Sequence, residues 1–222
     1  MTGRRRLRIA VWTTIAWSLL MAAEASFFDT SHGRILKCWQ SPVAALELAR
    51  DPDRVHQIIK QGDVTKNLAV MNWNTYMDCI FIVLYSAVFW FFAGEFGFGS
   101  LLSRFVRMSI IVAAVFDYLE DFGLFRTFAT FGRLAQSTVT FTRTVSMIKW
   151  SAFAVALWLL GALLLVAVAA RNAGETLIGW TGRLILLAAL IVSAGLFNNN
   201  LISLMGGPLL LALVLSGIAL RR

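Results

Sequence analysis

Phe116-Asp117-Tyr118-Leu119-Glu120-Asp121-Phe122 sets three carboxylates inside a long apolar run, Met108 to Phe131. On a helix, positions i, i+3 and i+4 share a face. Asp117, Glu120 and Asp121 then point one way, and Ile110, Ile111, Val112, Val115 and Phe116 are left for lipid or core. An ionised carboxylate in hydrocarbon is costly, so such acids turn inward, pair or stay protonated. The stretch reads as a membrane-crossing helix with buried acids, and the rest of the chain is consistent with that reading.

Apolar residues make up 59% of the 222-residue chain, more than a soluble domain of this length needs. Several apolar runs reach the roughly 20 residues that cross about 30 Å of hydrocarbon. The expected architecture is all-α: one integral membrane domain over 1–222, a polytopic bundle of six transmembrane helices, with short amphipathic helices between the first and second. The net charge of +8 gathers at the termini and membrane borders, in Arg4, Arg5, Arg6, Arg8, Arg104, Arg107, Arg221 and Arg222. That placement suits a lipid bilayer with anionic headgroups. No basic patch interleaved with aromatics stands outside the apolar runs, so nucleic acid is not an expected partner. Cys38 falls in a polar loop and Cys79 in a helix, which argues against a disulfide between them and gives no metal pair.

In chain order, a basic leader precedes the first run, Ile9 to Phe28. Ala23-Glu24-Ala25 fits a signal-peptide cleavage site, and cleavage would leave five spans; continuation through Phe28 favours a retained helix. Asp29 to Trp73 is polar, and 29–75 is expected to be a mostly helical extramembrane segment. Ser41-Pro42 and Asp51-Pro52 each place a capping side chain before a proline, so helices are predicted over Val43 to Ala49 and Asp53 to Gln61. Val55, Ile58 and Ile59 form an apolar stripe on the second. Asp63 caps a long helix from Val64, whose part from Tyr76 to Phe96 spans; Gly94 to Ser100 is a turn. The third span carries the acids and exits near Arg126. Phe128 to Thr144 is rich in Ser and Thr, with a strand-like alternation at Thr138-Val139-Thr140-Phe141-Thr142. A lone strand there leaves backbone unpaired, so a helix extension or a surface turn is expected. Val145 to Ala170 is the fourth span, ended at Arg171-Asn172-Ala173-Gly174; Thr176 to Phe197 is the fifth. After Asn198-Asn199-Asn200, Leu201 to Leu220 is the sixth, kinked at Gly206-Gly207-Pro208.

If the helices alternate in direction, Glu24, Asp78, Glu120, Asp121 and Lys149 all fall within about two turns of the same membrane surface, with Asp117 deeper. Tyr85 lies two turns below Asp78 on one face. These residues predict a polar pocket in one leaflet, walled by spans one to four and roofed by 29–75. The leading arginines place the N-terminus in the cytoplasm and the pocket on the opposite side.

Asn74-Thr75-Tyr76-Met77-Asp78 with Phe81 and Tyr85, then Asp117-x-x-Glu120-Asp121, then Lys149-Trp150, resembles a group of small uncharacterised bacterial multi-helix membrane proteins. Those proteins pair an Asp at the start of one helix with a D-x-x-E-N motif in the next and a Lys near the start of the following one. The resemblance covers roughly 43–170. It implies a helical bundle in a bacterial plasma (inner) membrane and no activity. Asp121 stands where that pattern has Asn, which adds a charge.

The candidate site residues are Asp78, Tyr85, Asp117, Glu120, Asp121, Lys149 and Glu24. Two readings of the acids compete: a structural lock between helices, or a pocket handling a small cation, a proton or a lipid ligand. Lys149 either snorkels to headgroups or supplies the counter-charge. Glu24 is either a pocket member or part of a cleavage site. An intramembrane lipid-processing enzyme is the weakest reading. No HExxH, P-loop, nucleophile elbow or Gly-rich dinucleotide motif is present, no cofactor is implied, and His32 and His56 have no local ligand partners.

Overall fold

The computed structural model describes residues 3–33, 35, 36, 40–97, 99–170 and 176–220. Cys38, Trp39, Arg171 to Gly174, Arg221 and Arg222 lie outside the described residues. Among the described residues there are eight α-helices and no strand. They are α1 (Gly3–Ala25), α2 (Pro42–Glu47), α3 (Pro52–Ile59), α4 (Val64–Gly97), α5 (Leu101–Ala129), α6 (Gln136–Ala170), α7 (Thr176–Gly195) and α8 (Gly206–Ala219). The six long helices form a closed ring: α1 packs on α4, each later helix on its successor, and α8 returns to α1. Gly217 makes that closure possible, because a Cβ there would stand 2.9 Å from the Trp12 ring.

Among the described residues, five stretches are long and apolar enough to cross a membrane: Gly3–Ala25, Val64–Gly97, Gln136–Ala170, Leu177–Gly195 and Leu201–Ala219. The expected third span, α5, is not one of them. Its 29 residues reach about 44 Å at 1.5 Å per residue, so length is not the obstacle. The obstacle is charge: Arg104, Arg107, Asp117, Glu120, Asp121 and Arg126 all lie on it. Asp117, Glu120 and Asp121 are nonetheless buried against its neighbours, while Ile111, Val112, Val115 and Phe122 face outward.

Three boundaries differ from expectation, and the Thr-rich stretch forms the turn and helix extension expected of it. The basic leader is helical from Gly3, and Arg4 Nε meets Glu95 Oε1 at 3.0 Å at the far end of α4. α4 continues through the expected turn to Gly97, where the missing Cβ lets Ser103 pack close; the Ser103 hydroxyl donates to the Ala93 carbonyl at 2.6 Å. The Thr-rich stretch is a 3-10 turn, Phe131–Arg133, followed by the start of α6. Helix wins there because it satisfies the backbone internally, and Thr142 Oγ1 bonds the Thr138 carbonyl one turn back at 3.1 Å. The last span begins as a 3-10 helix, Asn199–Met205, and becomes α-helical at Gly206, where Pro208 falls in the first turn and no intrahelical N–H is lost.

The segment between α1 and α4 forms a roof. Ser41 and Asp51 cap α2 and α3 as predicted, accepting from Ala44 N at 3.5 Å and Arg54 N at 2.7 Å. Val55, Ile58 and Ile59 are buried, together with Leu46, against Met71, Leu124, Phe128 and Val139 of the long helices. The stripe on α3 therefore packs on the bundle.

Asp29 ties this roof down. Its carboxylate accepts from Ser31 N at 3.0 Å and Asp63 N at 2.9 Å, and Asn67 bonds its backbone on both sides, at 2.6 and 2.9 Å. The amides of Asp63 and Ser31 hold the Asp29 carboxyl below its ordinary value. A depressed carboxyl contributes stability above its unfolded value and loses it as pH falls through the folded one. Amide exchange protection at Ser31 and Asp63 is therefore expected to fall once pH drops below about 4. Asp29→Ala is expected to lack that protection at every pH; protection that does not change with pH would contradict the assignment.

Candidate functional site

α4, α5 and α6 bring their polar faces together, and α2 adds one residue from above. Lys149 of α6 lies at the centre, 5% exposed. Its Nζ stands 2.6 Å from Glu120 Oε1, 3.0 Å from Asp117 Oδ1 and 3.4 Å from Glu47 Oε2. The ammonium also lies 4.6 Å from the centroid of the Trp150 ring. Lys149 is thus a counter-charge and does not snorkel. Its acids come from two elements: α5 supplies Asp117 and Glu120 from one face, and α2 supplies Glu47.

The surrounding donors fix the geometry. Tyr85 Oη donates to Asp117 Oδ2 at 2.6 Å, and Trp150 Nε1 donates to Glu47 Oε2 at 3.2 Å. Cys79, a free thiol, donates to Asp121 Oδ2 at 3.3 Å. Tyr118 on the outer face of α5 donates to the Cys79 carbonyl at 2.9 Å. Around Tyr85 the wall is aromatic. Phe81 and Phe153 lie edge-on to its ring at 5.5 and 5.6 Å, and Phe89 packs on Phe153. The polar cluster is therefore bounded by apolar rings on its deep side and by α2 on the other.

Gly123 sets the spacing of the two helices that carry the charges. A Cβ at this position would collide with the Thr142 hydroxyl, so glycine lets α5 and α6 approach closely one turn from Glu120. Buried Thr127, Thr138, Thr142 and Ser146 line the same seam. Ser146 Oγ, Glu120 Oε2 and Asp121 Oδ1 are buried with no hydrogen-bond partner among the described residues. A buried polar atom in that state is costly unless something small or a proton completes it.

Of the residues singled out in the sequence, Tyr85, Asp117, Glu120 and Lys149 are in direct contact, and Asp121 adjoins them on α5. Asp78 is half-buried one turn above Ile82 of α4; it makes no ion pair among the described residues, yet lies within the electrostatic reach of Asp117, Asp121, Lys149 and Glu47. Glu24 sits apart, accepting from Asn74 Nδ2 at 2.7 Å. Sequence reasoning missed Glu47 and Trp150 as members of the cluster. A signal existed: Glu47 is the one acid within the apolar stretch Val43 to Ala49, the same signature that marks Asp117.

In the polar layer Lys149 lies between Asp117, Glu120 and Glu47. A cavity of about 280 Å³ opens elsewhere, beside α2 and α3. Among the described residues no group of three or more His, Cys, Asp or Glu is arranged to hold a metal ion. What the cluster can do chemically is share protons among acids that outnumber their cation. Comparison of the chain with protein-family models, with curated proteins and with solved structures gives no match.

Proposed function

We propose that this chain is an integral membrane protein of six spanning helices with its N-terminus in the cytoplasm, and that the acids around Lys149 hold and exchange protons. On this reading α5 is the sixth span, its charges turned into the bundle and its apolar face to lipid. The setting is the bacterial plasma membrane that the D-x-x-E motif and its following Lys suggest. The observation that carries the proposal is a charge count in a dry place: one ammonium faces Glu47, Asp117 and Glu120, with Asp121 and Asp78 close by. Five ionised carboxylates around one lysine would leave a large uncompensated charge in a low-dielectric interior. Keeping protons on part of the set removes it. A proton is favoured over a metal cation because Lys149 already takes the cation's place.

A second reading has its own support. Lys149 ties α2, α5 and α6 together by direct ion pairs, which is what a structural lock requires. The two readings separate at Asp121, which touches Cys79 and not Lys149. Proton storage makes the folded state bind more protons than the unfolded chain, so stability falls as pH rises. Thermal unfolding of the purified protein is expected to show that fall as pH rises above about 4, the ordinary carboxyl range of the unfolded chain. The isosteric Asp121→Asn is expected to fold and to flatten it. A pH response identical in Asp121→Asn, Glu120→Gln and the parent would leave only the lock.

A further inference from the structure

We propose a second site, independent of the first: the cavity between α2, α3 and the 3-10 helix Asn199–Met205 binds the phosphate of an anionic ligand. The cavity measures about 280 Å³, room for a headgroup and not only a single ion. Arg50 and Arg54 line it, with Ser41 and Ser203 on the polar side and Ala45 and Leu48 on the floor. Planar guanidinium groups match phosphate oxygens in pairs, and the alanine and leucine floor suits a glycerol or acyl stem.

The one acid in the wall, Asp51, offsets only one of the two arginine charges. Its Oδ1 is engaged in the α3 cap, accepting from Arg54 N at 2.7 Å. The guanidinium of Arg50 is exposed and has no ion pair or hydrogen bond among the described residues, while its carbonyl is fixed by Gln136 Nε2 at 2.9 Å. Arg54 Nη1 reaches Gln57 Oε1 at 3.3 Å, and the remaining N–H groups of its fork are left for a ligand. The wall itself is held in shape by Ser41 N donating to Ser203 Oγ at 3.1 Å, which links α2 to the last span. The site thus joins the roof to the bundle edge, where a phospholipid headgroup would meet it; a soluble phosphate ester offers the same chemistry.

The test uses the full chain purified in mild detergent, with thermal unfolding and native mass measurement as readouts. The probes are a short-chain phosphatidylglycerol and inorganic phosphate. Phosphatidylglycerol is expected to raise the unfolding midpoint and to remain bound in the gas phase. The double substitution Arg50→Gln and Arg54→Gln is expected to weaken binding about tenfold or more. Arg5→Gln with Arg6→Gln, on the exposed start of α1, is expected to leave it intact. Ala45→Leu narrows the cavity without touching charge and is expected to weaken the lipid more than inorganic phosphate. An equal, Arg50- and Arg54-dependent response to inorganic phosphate would support the site with a soluble ester as its ligand. Binding of either probe that is unchanged in both the arginine pair and Ala45→Leu, or no binding at all, would overturn the proposal.

Discussion

Lys149→Met is expected to destabilise the folded protein by about 3–5 kcal/mol, the usual cost of removing one partner from a buried ion pair. The loss comes less from missing attraction than from what stays behind: Glu47, Asp117 and Glu120 would face one another with no cation between them. Methionine keeps the length and apolar stem of lysine, so packing changes little and charge is the variable. Thermal or denaturant unfolding in detergent measures the effect. Adding Glu120→Gln to Lys149→Met is expected to recover part of it, because the pair then loses opposite charges together. A Lys149→Met protein as stable as its parent would mean that the cluster is not held by this ammonium.

Gly123→Leu is expected to cost about 3 kcal/mol or more, at the upper end of overpacking effects. The added side chain meets Thr142 and the Phe141 ring at the tightest part of the α5–α6 seam. Relief requires α5 to move away from α6, and Glu120 lies one turn off on the same helix. The substitution should therefore separate Glu120 from Lys149 as well as lower the unfolding midpoint. Gly132→Leu is the control: no atom lies within 4 Å of a Cβ there, and its effect should stay within about 0.5 kcal/mol. Equal effects at the two positions would show that the seam is looser than described.

Much of the helical layout was legible because single residues mark boundaries by mechanism. Ser41-Pro42, Asp51-Pro52 and Asp63 each announce a cap, and each accepts a backbone N–H three residues on. The meeting of Asp117, Glu120 and Lys149 followed from depth: alternating helices of known rise put polar residues at matching levels. Glu47 was not legible by that argument. It sits on a six-residue helix outside the long runs, where depth cannot be counted from a span, and only the tertiary docking of α2 lowers it onto Lys149. The start of α6 was obscured by β-branched threonines, whose strand preference is overridden once buried hydroxyls bond back along a helix. Sequence shows that acids and a lysine share a layer, but not which acids the lysine meets.

Infrared spectroscopy of the purified protein shows whether acids around Lys149 keep protons at neutral pH. A protonated carboxyl has a carbonyl stretch distinct from the paired stretches of an ionised carboxylate. That stretch is expected at neutral pH, is expected to disappear as the solution is made alkaline, and is expected to be reduced in Asp121→Asn. A spectrum containing only ionised carboxylate bands at neutral pH, unchanged by Asp121→Asn, would contradict proton storage around Lys149.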